Sequence, residues 1–160
     1  MDAQLAGRKD VQRYRVLYLN GRPGPQAYVV LLGLDTFELP ALIRAIGRGL
    51  PWKALQRFVK NTGLTTEQVA ELVGIPPRTL ARRKVTGRLA ADESDRLVRA
   101  ARLYGRALDL FDGDPEAATA WLTHRNTALG GIAPIEYART GVGTEEVDAL
   151  IGRIEYGTFS

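Results

Sequence analysis

Residues 66–85 read TEQVAELVGIPPRTLARRKV, and the fold class turns on how this stretch divides. Thr65 is a good N-cap, and Gln68 three residues on completes a capping box, so a helix runs over Thr66–Val73. Gly74 supplies the left-handed backbone that a tight turn needs. Pro76 and Pro77 then start a second helix, because a first helical turn has N–H groups without intrahelical partners. Ala70 is small where two helix backbones must cross, and Val69, Val73, Ile75 and Leu80 fall on a shared apolar side. The spacing predicts a helix-turn-helix whose second helix presents Arg78, Thr79, Arg82 and Arg83 outward as base readers. Lys84 and Arg88 are expected on phosphates, with Thr65 and Thr66 in support. Arg83 stands where many such motifs carry an aliphatic residue. The run Arg82–Lys84 has no interleaved aromatic for stacking on single strands, which favours duplex DNA.

The flanking punctuation is that of short helices. Pro40 opens one with Leu42, Ile43 and Ile46 on one side, and Pro51 opens another with Leu55, Phe58 and Val59 inward and Gly63 past its end. Downstream, Asp92 is expected to cap a long helix reaching about Phe111. Its apolar stripe is Leu97, Ala101, Tyr104, Leu108 and Phe111. Asp114–Pro115–Glu116 starts a short helix ending near Leu122, and after Gly130–Gly131 come two more, over 134–139 and 144–151. NGRPGP at 20–25 is a breaker cluster, so residues 1–25 read as a mobile arm or a peripheral element. Tyr28–Leu34 (YVVLLGL) is a short strand or an apolar strap over a helical core. The expectation is an all-α protein in three parts: an irregular N-terminal arm (1–37), a helix-turn-helix region (38–91), and a long linking helix with a small helical C-terminal domain (92–160).

Charge divides along the same lines. Residues 39–91 carry ten basic side chains against Glu67 and Glu71, for +8, whereas residues 113–160 carry three against seven, for −4. An excess of +8 over that length favours a polyanionic partner, and the acidic end a different one.

The remaining inventory mostly excludes. The chain of 160 residues and 17.5 kDa has no Cys and one His, which removes disulfides, thiolate sites and His-based metal clusters. His124 lacks partners for a triad and reads as exposed or capping. Glu145–Glu146 are adjacent on a helix, about 100° apart, and suit a first turn after Thr144 rather than paired acid–base work. GRG at 47–49 and GVG at 141–143 lack the flanking strand and Lys–Ser/Thr of a phosphate loop. Trp52 and Trp121 read as core or interface anchors. No catalytic residue, metal site or cofactor is expected. No apolar run approaches the roughly 20 residues of a membrane span, and the first 25 residues lack a signal-peptide stretch, so a cytoplasmic protein with no membrane partner is expected.

The final third carries a more specific pattern. AWLTHRNTALGG (120–131) and PIEYARTGVGTEEVDALIGRIEYGTFS (134–160) resemble the C-terminal domain of Xre/MbcA/ParS-type antitoxins, the partners of RES-domain toxins in bacterial toxin–antitoxin modules. Trp121–Leu122, Asn126, Ala128–Gly131, Pro134, Thr140, Gly143, Val147 and the ending Gly152–Gly157 carry the match. It extends back through IRAIGRGLP (43–51), the helix-turn-helix and ADESDRL (91–97). Arg125 replaces a common Pro, and Gly141 replaces a common acidic residue.

The resemblance implies an Xre-like helix-turn-helix core joined to a toxin-binding domain, a protein that blocks its toxin and represses its own operon. It implies a toxin similar in fold to ADP-ribosyltransferases that depletes NAD, covered at its active-site entrance by the antitoxin's C-terminal end. The expected toxin contacts are Asn126, Leu129, Ile154, Glu155, Tyr156, Phe159 and Ser160. Residues 144–151 should dock and deliver Arg153–Ser160 as a projecting segment with Tyr156, Phe159 and a terminal carboxylate at its tip. A tail that only frays in solvent remains the alternative reading of those residues. One helix-turn-helix reads a half-site, so a two-fold pair is expected on operator double-stranded DNA, directly or through toxin as a hetero-oligomer. From a different class, the sequence also fits a stand-alone phage-like repressor with a C-terminal oligomerisation domain.

Overall fold

Residues 91–110 carry apolar side chains on more than one face, and such a helix must be surrounded. In the computed structural model, which describes residues 2–21 and 23–157 with side chains from Val11 onward, they form the central helix. Ten α-helices run along the described chain: α1 (Asp2–Leu19), α2 (Ala27–Leu31), α3 (Leu39–Arg48), α4 (Trp52–Thr62), α5 (Thr66–Val73), α6 (Pro77–Thr86), α7 (Ala91–Leu110), α8 (Pro115–Thr123), α9 (Pro134–Tyr137) and α10 (Gly141–Glu155). A 3-10 turn at Thr127–Leu129 lies between α8 and α9, and the described residues contain isolated β-bridges but no sheet. The all-α expectation holds.

Helix α7 packs against α2, α3, α4, α5, α8 and α10. The expected stripe of Leu97, Ala101, Tyr104 and Leu108 is buried, and so is a second set, Val98, Ala100, Leu103 and Ala107. Phe111 is partly buried and tilts against Trp121, with ring centroids 6.4 Å apart. At its start, the Glu93 carboxylate accepts the Ala90 N–H at 2.7 Å, so the capping contact comes from Glu93 and not from the expected Asp92. Asp92 instead pairs with Arg96 one turn on.

Three expectations at the N-terminal end change. Residues 2–19 form a helix rather than an irregular arm, and a turn at Asn20–Gly21, the start of the NGRPGP cluster, ends it. Among its described side chains, from Val11 on, few positions point inward, in line with its weak pattern. Val11 is buried, Tyr14 meets Phe37 edge-on at 5.3 Å, and the Tyr14 hydroxyl accepts the Gln26 N–H. Val16, Leu17 and Leu19 are exposed. The Tyr28–Leu34 segment contains helix α2, buried at Ala27, Tyr28, Val29 and Leu31. It approaches α7 at Gly105, where a methyl group would meet the Ala27 Cβ at 3.3 Å. Ile43 is exposed, because on α3 it lies about 100° from the buried Leu42.

The Tyr104 hydroxyl joins three elements. It shares a 2.7 Å hydrogen bond with Thr119 Oγ1 on α8, and reaches the carbonyl of Pro115 at 3.1 Å. Thr119 Oγ1 also donates to the Thr62 carbonyl at the end of α4, at 2.6 Å. Burial raises the Tyr104 pKa, so this hydroxyl stays protonated and able to donate. Tyr104→Phe is expected to cost about 1–2 kcal/mol in urea unfolding. An unchanged midpoint would show that the network adds nothing beyond packing of the ring.

Candidate nucleic-acid interface and partner surface

The two helices of the motif have the expected boundaries, and their joints follow from local chemistry. Thr65 Oγ1 accepts the Gln68 N–H at 3.0 Å, and Gln68 Oε1 accepts the Thr65 N–H at 2.9 Å, closing the capping box. Gly74 adopts φ 70°, and the Ile75 N–H returns to the Ala70 carbonyl at 2.8 Å. Val69, Val73 and Ile75 are buried and Leu80 is partly so.

Helix α6 itself buries none of its ten residues. Polar and backbone contacts hold it in place. At its exit, the Trp52 N–H donates to the Gly87 carbonyl and the Leu89 N–H to the Leu50 carbonyl, each at 2.9 Å. Ser94 Oγ accepts the Leu50 N–H at 2.8 Å while donating to Ala90, which ties the same junction to α7. Gly49 is required there, since a Cβ would stand 2.0 Å from the Leu89 carbonyl oxygen. That is the structural use of the GRG triplet.

The expected DNA-facing residues fall into two groups. Arg78, Arg82 and Lys84 are exposed and Thr79 is half-buried, all on α6. Arg83 and Arg88 are engaged within the chain: Arg83 Nε donates to the Glu93 carboxylate at 2.7 Å, and Arg88 Nη1 donates to the Gly49 carbonyl at 2.6 Å. Thr65 uses its hydroxyl in the cap, and Thr66 is half-buried at the start of α5. The ion pairs among the described residues use Arg83, Arg96, Arg99, Arg106, Arg139 and Arg153. Those pairs leave Arg78, Arg82 and Lys84, with the cations of α3 and α4, presenting a positive field to solvent.

The C-terminal elements form the other surface. Asn126 Oδ1 accepts the Ala128 N–H, and the Asn126 backbone exchanges bonds with Ile132 and Gly131, pinching 126–132 into a closed loop. Leu129 is buried beneath that loop. Both residues therefore shape the loop from within.

Helix α10 is longer than the expected 144–151. Thr140, not Thr144, is its N-cap, accepting the Gly143 N–H at 3.0 Å. Glu145 and Glu146 accordingly lie beyond the first turn, and Glu146 pairs with Arg153. The expected helix began only after Gly141–Gly143, yet Gly143 is what lets α10 start at Gly141. A Cβ at that position would lie 1.7 Å from the Tyr137 carbonyl oxygen, so only glycine allows α9 and α10 to meet.

The segment expected to project from Arg153 thus begins inside α10, which runs on to Glu155. Ile154 packs against the core, and Arg106 of α7 bonds both Asp148, at 2.8 Å, and Glu155, at 3.1 Å. Val142, Glu146, Ala149, Arg153 and Tyr156 align along the outer face of α10, spaced four and three, with Val142 79% and Tyr156 82% exposed. The sequence reading identified Tyr156 but missed Val142 and Ala149, which the uninterrupted helical period would have revealed. Beside this face, α7 and α10 border a cleft of about 380 Å³ lined by Arg99, Arg102, Arg106, Glu145 and Asp148. Phe159 and Ser160 lie outside the described residues. His124 directs a ring nitrogen to the Ala120 carbonyl at the end of α8.

Fold and surfaces define a helix-turn-helix protein with an appended helical partner-binding domain. Two family models cover most of it: the antitoxin Xre-like helix-turn-helix domain over residues 41–102, and the antitoxin Xre/MbcA/ParS C-terminal toxin-binding domain over residues 106–157. The Xre antitoxins of Yersinia enterocolitica and Photorhabdus laumondii are each 32% identical over 130 residues, 81% of this chain and 88% of theirs. A Prs ADP-ribosylating antitoxin from a Sphingobium species is 25% identical over 146 residues, 80% of this chain and 91% of its own. The chain belongs to the Xre antitoxin family, with a DNA-binding motif and a toxin-binding domain in one protein. The two matches meet within α7, so both halves share that helix. No described helix is long and apolar enough to cross a membrane.

Two glycines of α10 give opposite expectations. Gly143→Ala should destabilise the protein by roughly 1–3 kcal/mol, because the clash is with backbone. Gly152→Ala, whose added methyl would meet only the end of Arg106 at 3.9 Å, should stabilise it by about 0.5–1 kcal/mol. Thermal melts of the two variants moving in the same direction would refute the assigned α9–α10 crossing.

Proposed function

We infer that this antitoxin neutralises a RES-domain toxin that consumes NAD, and represses its own operon by placing α6 in the major groove of operator duplex DNA. The observation that carries the reading is the pairing of an α6 with no buried residue and solvent-facing Arg78, Arg82 and Lys84 with a toxin-binding domain on the same central helix. Arg78 and Arg82 read base edges with Thr79, Lys84 contacts phosphate, and the start of α5 at Thr65 and Thr66 approaches the backbone. One motif covers a half-site, so two copies bind as a two-fold pair, half-sites one helical turn or a multiple apart.

The toxin sits on the outer face of α10 and on residues 156–160. Val142, Ala149 and Tyr156 provide apolar contact there, and the Glu146–Arg153 pair leaves the middle of that face electrically neutral. Phe159 and Ser160 add to this contact near the NAD site. Ile154 and Glu155 contribute by holding the end of α10 in place. Asn126 and Leu129 act by shaping the adjoining loop.

Arg78→Ala with Arg82→Ala should abolish sequence-specific footprinting, since each good bidentate base contact is worth about 1–3 kcal/mol. That variant should still protect cells from the co-expressed toxin. Ala149→Arg and deletion of 156–160 should do the reverse: footprint intact, cellular NAD falling and growth arrested. Protection by the deletion variant equal to that of the full chain would place the toxin contact elsewhere. Absence of any co-purifying RES-type protein with a tagged copy would favour the stand-alone repressor.

A further inference from the structure

Helix α6 presents a mechanical problem that apolar packing does not solve. It carries the solvent-facing arginines, buries no residue, and rests on Leu80 as its partly buried apolar anchor. Base reading needs such a helix fixed in orientation about its own axis, since a small rotation moves an arginine tip by more than a hydrogen bond tolerates. Backbone contacts fix where α6 ends, at Gly87 and Leu89, but leave its facing undetermined. The directional side-chain contact from α6 to α7 is the Arg83–Glu93 pair. Arg83 is 23% exposed and Glu93 only 6%, and Nε meets Oε1 at 2.7 Å. The same carboxylate oxygen accepts the Ala90 N–H at the first turn of α7.

We propose that Arg83 and Glu93 are positioning residues for DNA recognition: their pair sets the facing of α6 against α7, and Arg83 touches neither base nor phosphate. This rests on the DNA-binding reading of α6. It accounts for the irregularity of the motif, since an arginine replaces the customary aliphatic residue where the facing surface offers a buried carboxylate. Arg83 lies between Arg82 and Lys84 in sequence, yet its guanidinium is spent on the protein. A hydrogen-bonded charge pair with one buried partner is directional, whereas an aliphatic contact would allow α6 to roll.

The test uses the full chain and duplexes selected in vitro from a randomised pool. Arg83→Met keeps the aliphatic stem, and Glu93→Gln keeps an acceptor for the Ala90 N–H. Each should lower affinity for the selected duplex roughly tenfold, and the double variant should be no worse than either single, as coupled residues require. Base preferences and salt slope should stay unchanged, and Arg83→Lys should recover part of the loss. The double variant, in which no lone buried charge remains, keeps the comparison valid if Arg83→Met alone folds poorly.

Relaxed preference at one base pair in Arg83→Met would overturn the proposal by making Arg83 a base reader. A salt slope lower by about one would overturn it by placing Arg83 on a phosphate. Full affinity in Glu93→Gln would overturn it as well. Arg78→Ala with Arg82→Ala serves as the separate control: if that variant still selects the same sequence, the DNA reading of α6 has failed rather than the role of the pair.

Discussion

Burial of α7 on nearly every side is the constraint from which the arrangement follows. A helix of twenty residues with two apolar faces cannot lie at the surface, so α2, α3, α4, α5, α8 and α10 are drawn around it. Its first turns hold the DNA-binding half through Glu93, Ser94 and Arg96, the last of which donates to the Val73 carbonyl at the end of α5. Its second half holds the toxin-binding half through Tyr104 and Arg106. The two family domains are therefore joined by a rigid shared element and not by a linker. The Arg139–Glu71 pair adds a direct bridge between them.

The two outer helices are anchored in opposite ways. Helix α10 buries Gly143, Val147, Leu150 and Ile151, and α6 buries nothing. An apolar anchor leaves the opposite face of α10, with Val142, Ala149 and Tyr156, exposed. A polar anchor spends one cation of α6 on the protein and leaves its neighbours to solvent. This division also explains why the strongly basic segment is not relieved within the chain. Its exposed cations have a positive field to share with a polyanion, while the acidic C-terminal groups are partly consumed by Arg106 and Arg153.

Much of this was legible in order along the chain. The Thr65–Gln68 box, the Gly74 turn, the Pro76–Pro77 start and the Asp114 cap are chemistry within a few residues, and each appears where the spacing puts it. The buried stripe of α7 was equally readable, because four- and three-residue spacing of large apolar groups is a property of the helix alone. Helix α1 and the start of α10 were not. The first depends on Val11, Tyr14 and Tyr18, whose partners lie elsewhere in the chain. The second depends on Gly143, whose fit against the α9 backbone no local pattern shows.

The same division holds for the sites. Residue types, charge balance and local period determined by themselves that the protein is all-α and carries a helix-turn-helix, and the resemblance of residues 120–160 added an antitoxin-like C-terminal domain. They also marked a row of arginines as equivalent candidates. Only the tertiary structure distinguished among them, leaving Arg78 and Arg82 outward, committing Arg83 to Glu93 and Arg88 to Gly49, and tying Glu155 to Arg106. The physical reason is that helical period specifies direction around one axis, whereas an ion pair depends on how two axes lie relative to each other. That relation is set by packing around α7, at sequence separations that no local pattern records.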